Sequence, residues 1–201
     1  MGIQKEPAAF VAQLPLPKGF SVCELGDQGM CGEPTKRLAK IWYEQELGCG
    51  RYVSIDGNGR GTWTADLNLP IECALEYYRQ HEKFFSDYID QTFDLVTDFG
   101  TGEHIFDQAQ VWRTLHNFTK PGGYIAFDRP SQGYGKHCYY LTNECLYHDI
   151  AQANDYTVRW MSRAPTPRGE LIRGVYQRPQ TTEPFRTPQQ GRYRDSLVIP
   201  L

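Results

Sequence analysis

Acidic residues and glycines stand where short apolar segments of the chain end. The segment FSVCEL closes on Glu24, and Gly26, Gln28 and Gly29 follow within five positions. Glycine has no side chain, so the backbone at such positions can approach a ligand closely. This combination predicts a turn that contacts a bound molecule.

Three later apolar segments also end in an acid. A carboxylate at the end of a second strand can accept hydrogen bonds from both hydroxyls of a ribose. One at the end of the third segment can accept from the exocyclic amine of adenine. Ligands of open parallel sheets bind at the carboxyl ends of the strands, so we expect Glu24, Asp56 and Asp66 to converge around one adenosine. The residues predicted to contact the ligand at these ends are Asp56, Gly57, Asp66, Leu67, Asp98, Phe99 and Gly100.

Glu103 and His104 follow the fourth apolar segment and are the candidate catalytic residues. Imidazole titrates near neutral pH, so His104 is able to remove a proton from an acceptor. A histidine that caps or packs the following helix explains the same residue without any chemistry. The sequence leaves both interpretations open.

The elements that must position these residues alternate along the chain. Apolar segments predict strands at 20–25, 51–55, 62–67, 93–97 and 124–127, and a closing pair at 157–161 and 171–176. Spacing and caps predict helices over 34–47, over 107–118, after Asn143, and once or twice within 71–90. We therefore predict an α/β, Rossmann-like fold with about seven strands. Its sheet is mainly parallel with an antiparallel C-terminal edge, and helices lie on both faces.

Three stretches of the chain resemble the class I S-adenosylmethionine-dependent methyltransferases. They are VCELGDQG, FDLVTDFGTGEHIFD and LHNFTKPGGYIAF, in the order that the family shows. The resemblance covers about 20–127 and implies S-adenosyl-L-methionine as the cofactor. It also implies Asp56 as the ribose-binding acid and Asp66 as the adenine-contacting acid. Gln28 replaces the middle glycine of the family's first motif.

Glu103 and His104 also resemble a pair found in some small-molecule O-methyltransferases. Those relatives often carry another acid three residues before the glutamate, where this chain has Gly100. A looser group of possible ligands lacks the spacing of a zinc knuckle. That group consists of His137, Cys138, Cys145 and His148. We therefore predict no metal site.

The resemblance implies an enzyme that transfers a methyl group, with O-methylation of a small molecule or sugar as the expected reaction. The alternatives are a non-catalytic scaffold subunit and an enzyme that breaks down S-adenosylmethionine without an acceptor. Nucleic acid is a less favoured substrate, because DFGT stands where amino-methylating DNA enzymes carry N/D-P-P-Y. A nicotinamide site is disfavoured because G-x-G-x-x-G is not satisfied. Arg129, Lys136 and Arg163 are interpreted as surface charges, with contact to an anionic acceptor as the alternative.

Length and charge limit the remaining possibilities. The chain has 201 residues, a formal net charge of -3 and a sequence pI near 6.0, unlike the strongly basic proteins that hold nucleic acid. We expect an N-terminal arm at 1–19, one domain at 20–178 and an extended tail at 179–201. Apolar runs are too short for a membrane span and no secretory signal is recognised, so a cytoplasmic protein with reduced cysteines is expected. A homodimer is left open.

Overall fold

A computed structural model describes residues 2–32, 38–70 and 91–189. These residues contain one six-stranded sheet with the order β2-β1-β3-β4-β6-β5. The strands are β1 (Ser21–Leu25), β2 (Arg51–Ile55), β3 (Phe93–Asp98), β4 (Thr119–Gly133), β5 (Thr157–Thr166) and β6 (Gly169–Gln177). The first four strands are parallel, and β6 pairs antiparallel with both β4 and β5. The predicted parallel sheet with an antiparallel edge is confirmed.

The sheet has six strands and not the predicted seven, because the segment 62–67 does not join it as a strand. Trp63 forms a single parallel bridge with Ile55, and no ladder continues from it. Trp63, Ala65 and Leu67 nevertheless all point into the core, where each is at most 3% exposed. The alternation of polar and apolar residues in 62–67 therefore reflects packing against the core and not strand pairing.

Helices lie on both faces of the sheet, as predicted. On one face, α1 (Lys5–Val11) and α2 (Ala39–Ile41), which continues into the π-helical turn Trp42–Glu46, pack over residues that include Val22. On the other face, α3 (Gln108–Phe118) and α4 (Glu144–Ala153) pack over residues that include Cys23. Successive strand residues point to opposite faces, so each central strand contributes to both cores.

Local signals fix the ends of these helices. The Asp107 carboxylate accepts a hydrogen bond from the backbone N–H of Gln110 at 2.8 Å, and Asn143 accepts from the N–H of Cys145 at 2.9 Å. Both are the predicted N-caps. Gly48 has φ of +73°, a conformation in which glycine commonly ends a helix. The start of the helix predicted over 34–47, and the helices predicted within 71–90, lie outside the described residues.

Segments near both ends of the described chain contact the strands and helices between them. Arg173 on β6 donates a hydrogen bond to Glu6 at 2.6 Å. In the described part of the tail, the backbone N–H of Arg186 donates to Asn154 at 2.7 Å. The boundaries predicted for arm, domain and tail remain predictions. Every helix among the described residues is too short or too polar to span a membrane.

Candidate functional site

The carboxyl ends of β1, β2 and β3 open into a cavity of about 680 Å³. We call it the main cavity. Its lining contains both Asp56 and Asp66, which the sequence placed at one ligand. The predicted site residues that line it are Gln28, Asp56, Gly57, Asp66, Leu67, Gly100 and His104. The structure therefore brings these residues to one edge of the sheet, as a shared ligand requires.

Asp56 is held in a fixed position at this cavity. One carboxylate oxygen accepts a hydrogen bond from the backbone N–H of Asp27, and the other accepts from the N–H of Asn58, each at 3.0 Å. Asp66 is more exposed and accepts from the N–H and the side-chain amide of Asn68, at 2.9 and 2.8 Å. Each carboxylate oxygen has two lone pairs, so both oxygens of Asp56 and the second oxygen of Asp66 retain capacity to accept from a ligand.

Glu24 lies below the cavity and not in its lining. Its side chain is fully buried, where it accepts hydrogen bonds from the Tyr52 hydroxyl at 2.6 Å and from the backbone N–H of Gln28 at 3.2 Å. Burial raises the pKa of Glu24 from 4.5 to about 8. In this position the carboxyl supports the loop that follows β1, and direct contact of Glu24 with adenosine stays a prediction of the sequence.

Gln28 joins the loops after β1 and β3. Its side-chain amide donates to the Thr101 hydroxyl at 2.8 Å, and that hydroxyl donates to the Leu25 carbonyl, also at 2.8 Å. Gly26 has φ of +84°, and a Cβ atom there would lie 2.2 Å from the Thr101 hydroxyl oxygen. Gln28, which replaces the family's middle glycine, thus connects the two loops. The tight turn after β1 requires glycine at position 26.

Gly26 and three more predicted contact residues also lie outside the cavity lining. The Gly29 carbonyl accepts from the backbone N–H of Ile3 at 2.9 Å. Phe99 is 1% exposed and packs in the core beneath α1 and α2. Asp98 is fully buried, and it organises the backbone of the cavity wall from below. Cofactor contacts of these residues stay predictions.

Asp98 forms a buried ion pair with Arg129, and both side chains are 0% exposed. The Arg129 Nε atom donates to Asp98 at 2.6 Å, while the other carboxylate oxygen accepts from the N–H groups of Thr101 and Gly102, at 3.1 and 2.9 Å. Arg129 also donates to Gln108 at 2.9 Å. The interpretation of Arg129 as a surface charge is wrong. The carboxylate of Asp98, 31 positions earlier in the sequence, compensates the cost of burying the Arg129 charge.

His104 lines the main cavity and also a second one of about 340 Å³, which Lys136, His137, Cys138 and Tyr139 complete. We call the latter the side cavity. Burial and the neighbouring His137 lower the pKa of His104. Glu103 is buried beside it, with its carboxylate 3.7 Å from His104 Nε2. Burial and the charge of Asp98 raise the pKa of Glu103 to about 7.

Several cavity residues were missed by sequence reasoning. They are Asp27, Asn58, Arg60, Ala65, Thr101 and Ile105. Five of them lie next to a predicted residue, so the positions of the strand ends predicted the loops but not every side chain. Thr101 follows Gly100 directly, which is a signal that could have found it. No signal in the sequence distinguishes Arg60 from an ordinary turn residue.

We expect the free energy of unfolding to fall more steeply with rising pH in the wild type than in Glu24→Gln. The buried carboxyl stays protonated up to about pH 8 when folded, but ionises above about 4.5 when unfolded. The contribution of Glu24 to the free energy of unfolding is therefore fully present below its pKa in the unfolded chain. It is lost as the pH rises to its pKa in the folded protein. Urea unfolding at about pH 4 and about pH 9 measures this. Equal pH dependence in the two proteins would show that Glu24 is not responsible.

Comparisons with known proteins agree with this architecture. A family model described as a methyltransferase domain matches residues 71–164, nearly half of the chain. No curated protein matches the sequence significantly. A putative methyltransferase from Bacillus halodurans C-125 is 9% identical with a TM-score of 0.58, covering 87% of this chain and 99% of its own.

Two further solved structures show how widely this fold is used. The 1,6-didemethyltoxoflavin-N1-methyltransferase of Burkholderia thailandensis, solved with S-adenosylhomocysteine, is 18% identical with a TM-score of 0.55, and the match covers 87% of this chain and 77% of that one. The [4+2]-cyclase SpnF is 12% identical with a TM-score of 0.53, covering 88% and 81%. The chain thus matches a methyltransferase-domain family over residues 71–164 and shares the Rossmann-like fold of these solved structures.

Proposed function

We propose that the chain binds S-adenosylmethionine in the main cavity and transfers its methyl group to a hydroxyl of a small molecule or sugar held beside His104. The observation that carries this proposal is the position of His104, which lines both the main cavity and the side cavity. A cofactor in one cavity and an acceptor in the other would meet at this side chain.

The residues of the main cavity match the chemistry of the cofactor's adenosine. The fixed carboxylate of Asp56 accepts the ribose hydroxyls, and Asp66 accepts from the adenine amine beside the apolar Leu67. The turn after β1, with Gly26 and Gln28, approaches the methionine portion. The volume of about 680 Å³ falls within the range of ordinary cofactor sites.

The side cavity suits a small acceptor. Methyl transfer breaks the bond between the sulfonium sulfur and the methyl carbon, forms a bond from the acceptor oxygen to that carbon, and leaves S-adenosylhomocysteine. The acceptor hydroxyl must lose its proton, and His104 is placed to accept it, with Glu103 adjacent. The chain otherwise supplies alignment, because the sulfonium already activates the carbon.

Two alternatives need separate readouts. A scaffold subunit would keep the fold without binding S-adenosylmethionine. The second alternative is an enzyme that breaks down S-adenosylmethionine without an acceptor. A sugar acceptor, a homodimer and a cytoplasmic location are further predictions. Nucleic acid remains the less favoured acceptor.

Incubation with S-adenosylmethionine labelled in the methyl group, against panels of hydroxylated small molecules and sugars, tests the proposal. We expect a labelled product together with S-adenosylhomocysteine, and we expect His104→Ala to lower kcat about 100-fold or more. His148→Ala is the matched control, because His148 lies on α4 beside Glu144. Cofactor breakdown without a labelled acceptor would contradict methyl transfer. Full turnover by His104→Ala would exclude the proposed base.

A further inference from the structure

We propose that Glu103, His104 and His137 together bind a divalent transition-metal ion. One ligand atom from each of these residues lies within 4.8 Å of the others, at the border of the side cavity. Two imidazoles and a carboxylate are the donors that such ions take in proteins. The sequence separates His137 from the pair by more than 30 positions, so the group is visible only in the fold.

The strongest observation is that the Glu103 carboxylate has no hydrogen-bond partner in the part of the chain that the structure describes. Its side chain is 0% exposed, and neither carboxylate oxygen has a partner within the described residues. The nearest imidazole nitrogen, on His104, is 3.7 Å away, beyond hydrogen-bond distance. A buried carboxylate without partners is costly, and a bound cation would compensate it. The Nε2 atom of His137 is likewise buried, with no hydrogen bond to any residue that the structure describes.

The backbone around the cluster holds His137 over Glu103. The N–H groups of Tyr139 and Tyr140 donate to the Glu103 carbonyl at 3.1 and 3.3 Å. The N–H of His137 donates to the Tyr134 carbonyl at 2.9 Å, and Tyr134 itself has φ of +25°. A left-handed conformation is unfavourable for tyrosine, and such strain concentrates at functional sites. The loop is thus built to bring His137 back to the Glu103 backbone.

Only a small movement separates this arrangement from a coordinated ion. Nitrogen and oxygen ligands about 2.1 Å from a zinc ion lie at most about 4.2 Å apart. The side chain of His104 is 39% exposed, so it can rotate inward. Three protein ligands leave at least one position open for a water or an acceptor oxygen.

The catalytic role of the ion rests on the proposed methyl transfer, in which the ion would replace His104 as the group that activates the acceptor hydroxyl. Bound at the border of the two cavities, it would lower the pKa of an acceptor hydroxyl next to the transferred methyl group. His104 would then act as a ligand and not as a free base. The two roles of this imidazole are exclusive, and binding measurements on the protein without substrates decide between them.

The test is a titration of chelator-treated, full-length protein with Co²⁺ and with Zn²⁺, in the absence of cofactor and acceptor. We expect one ion per chain by calorimetry and visible absorption bands for the cobalt form. His137→Ala and Glu103→Gln should each weaken binding at least about tenfold. His148→Ala is the control and should bind as the wild type does. Circular dichroism shows whether each variant is folded. If Glu103→Gln does not fold, His137→Ala, which changes a residue in a surface loop, still tests the site.

Absence of stoichiometric binding, or equal binding by folded His137→Ala, would overturn the metal site. S-adenosylmethionine binding by the same wild-type protein separates this failure from failure of the proposed function. A protein that binds the cofactor but no ion would refute only the metal site. A protein that binds the ion but no cofactor would refute only the methyl transfer.

Discussion

Asp56→Asn is expected to weaken the binding of S-adenosylmethionine about 100-fold. Asp56 is positioned by the N–H groups of Asp27 and Asn58, so its carboxylate meets a ligand without reorganising. A hydrogen bond to a charged group contributes about 1.5–3 kcal/mol, and the ribose offers two hydroxyls. Asparagine keeps one acceptor oxygen but replaces the other with an amide that only donates. Calorimetric titration measures the change in Kd.

Matched variants make this result specific. Asp155→Asn removes the same charge at an exposed position beside Arg186 and should leave the Kd unchanged. Asp66→Asn should weaken binding about tenfold, because Asp66 is more exposed and would accept only one hydrogen bond from the ligand, that of the adenine amine. A wild-type Kd for folded Asp56→Asn would contradict the assignment of this residue to the ribose.

Arg129→Ala is expected to lower the free energy of unfolding by about 3–5 kcal/mol. The change leaves the carboxylate of Asp98 buried and without its cation, and both side chains are fully buried. It also removes the stacking of the guanidinium over the Trp112 ring, at 5.2 Å from its centroid. Because Asp98 holds the N–H groups of Thr101 and Gly102, the wall of the main cavity should loosen as well. Urea unfolding followed by circular dichroism measures the loss.

The control for this prediction is an ion pair at the surface. Arg163 donates to Glu144 at 2.6 Å, but its side chain is 58% exposed. Arg163→Ala should therefore change the free energy of unfolding by less than about 1 kcal/mol. If Arg129→Ala cost no more than Arg163→Ala, the buried pair would not have the structural importance given to it here.

The sequence predicted what depends on local pattern. Asp56 directly follows the apolar segment that forms β2, which places it at the carboxyl edge of the sheet, where it lines the main cavity. Asp66 lines the same cavity, although its segment packs there without forming a strand. Asp107 and Asn143 were predicted as helix caps from their position before apolar helical spacing, and both are. In each case neighbouring residues carry the whole signal.

The sequence did not predict what depends on contacts between distant residues. The burial of Arg129 follows from Asp98, and nothing adjacent to either residue indicates the pair. The segment around Trp63 alternates like a strand, although it only packs against the core. The meeting of His137 with Glu103 depends on the loop after β4 returning to the end of β3.

A crystal structure of the protein with S-adenosylhomocysteine tests the central claim most directly. We expect the ribose hydroxyls to bind the carboxylate of Asp56, the adenine to lie between Asp66 and Leu67, and the sulfur to face His104. A ligand bound elsewhere, or a main cavity still empty at saturating ligand, would contradict it.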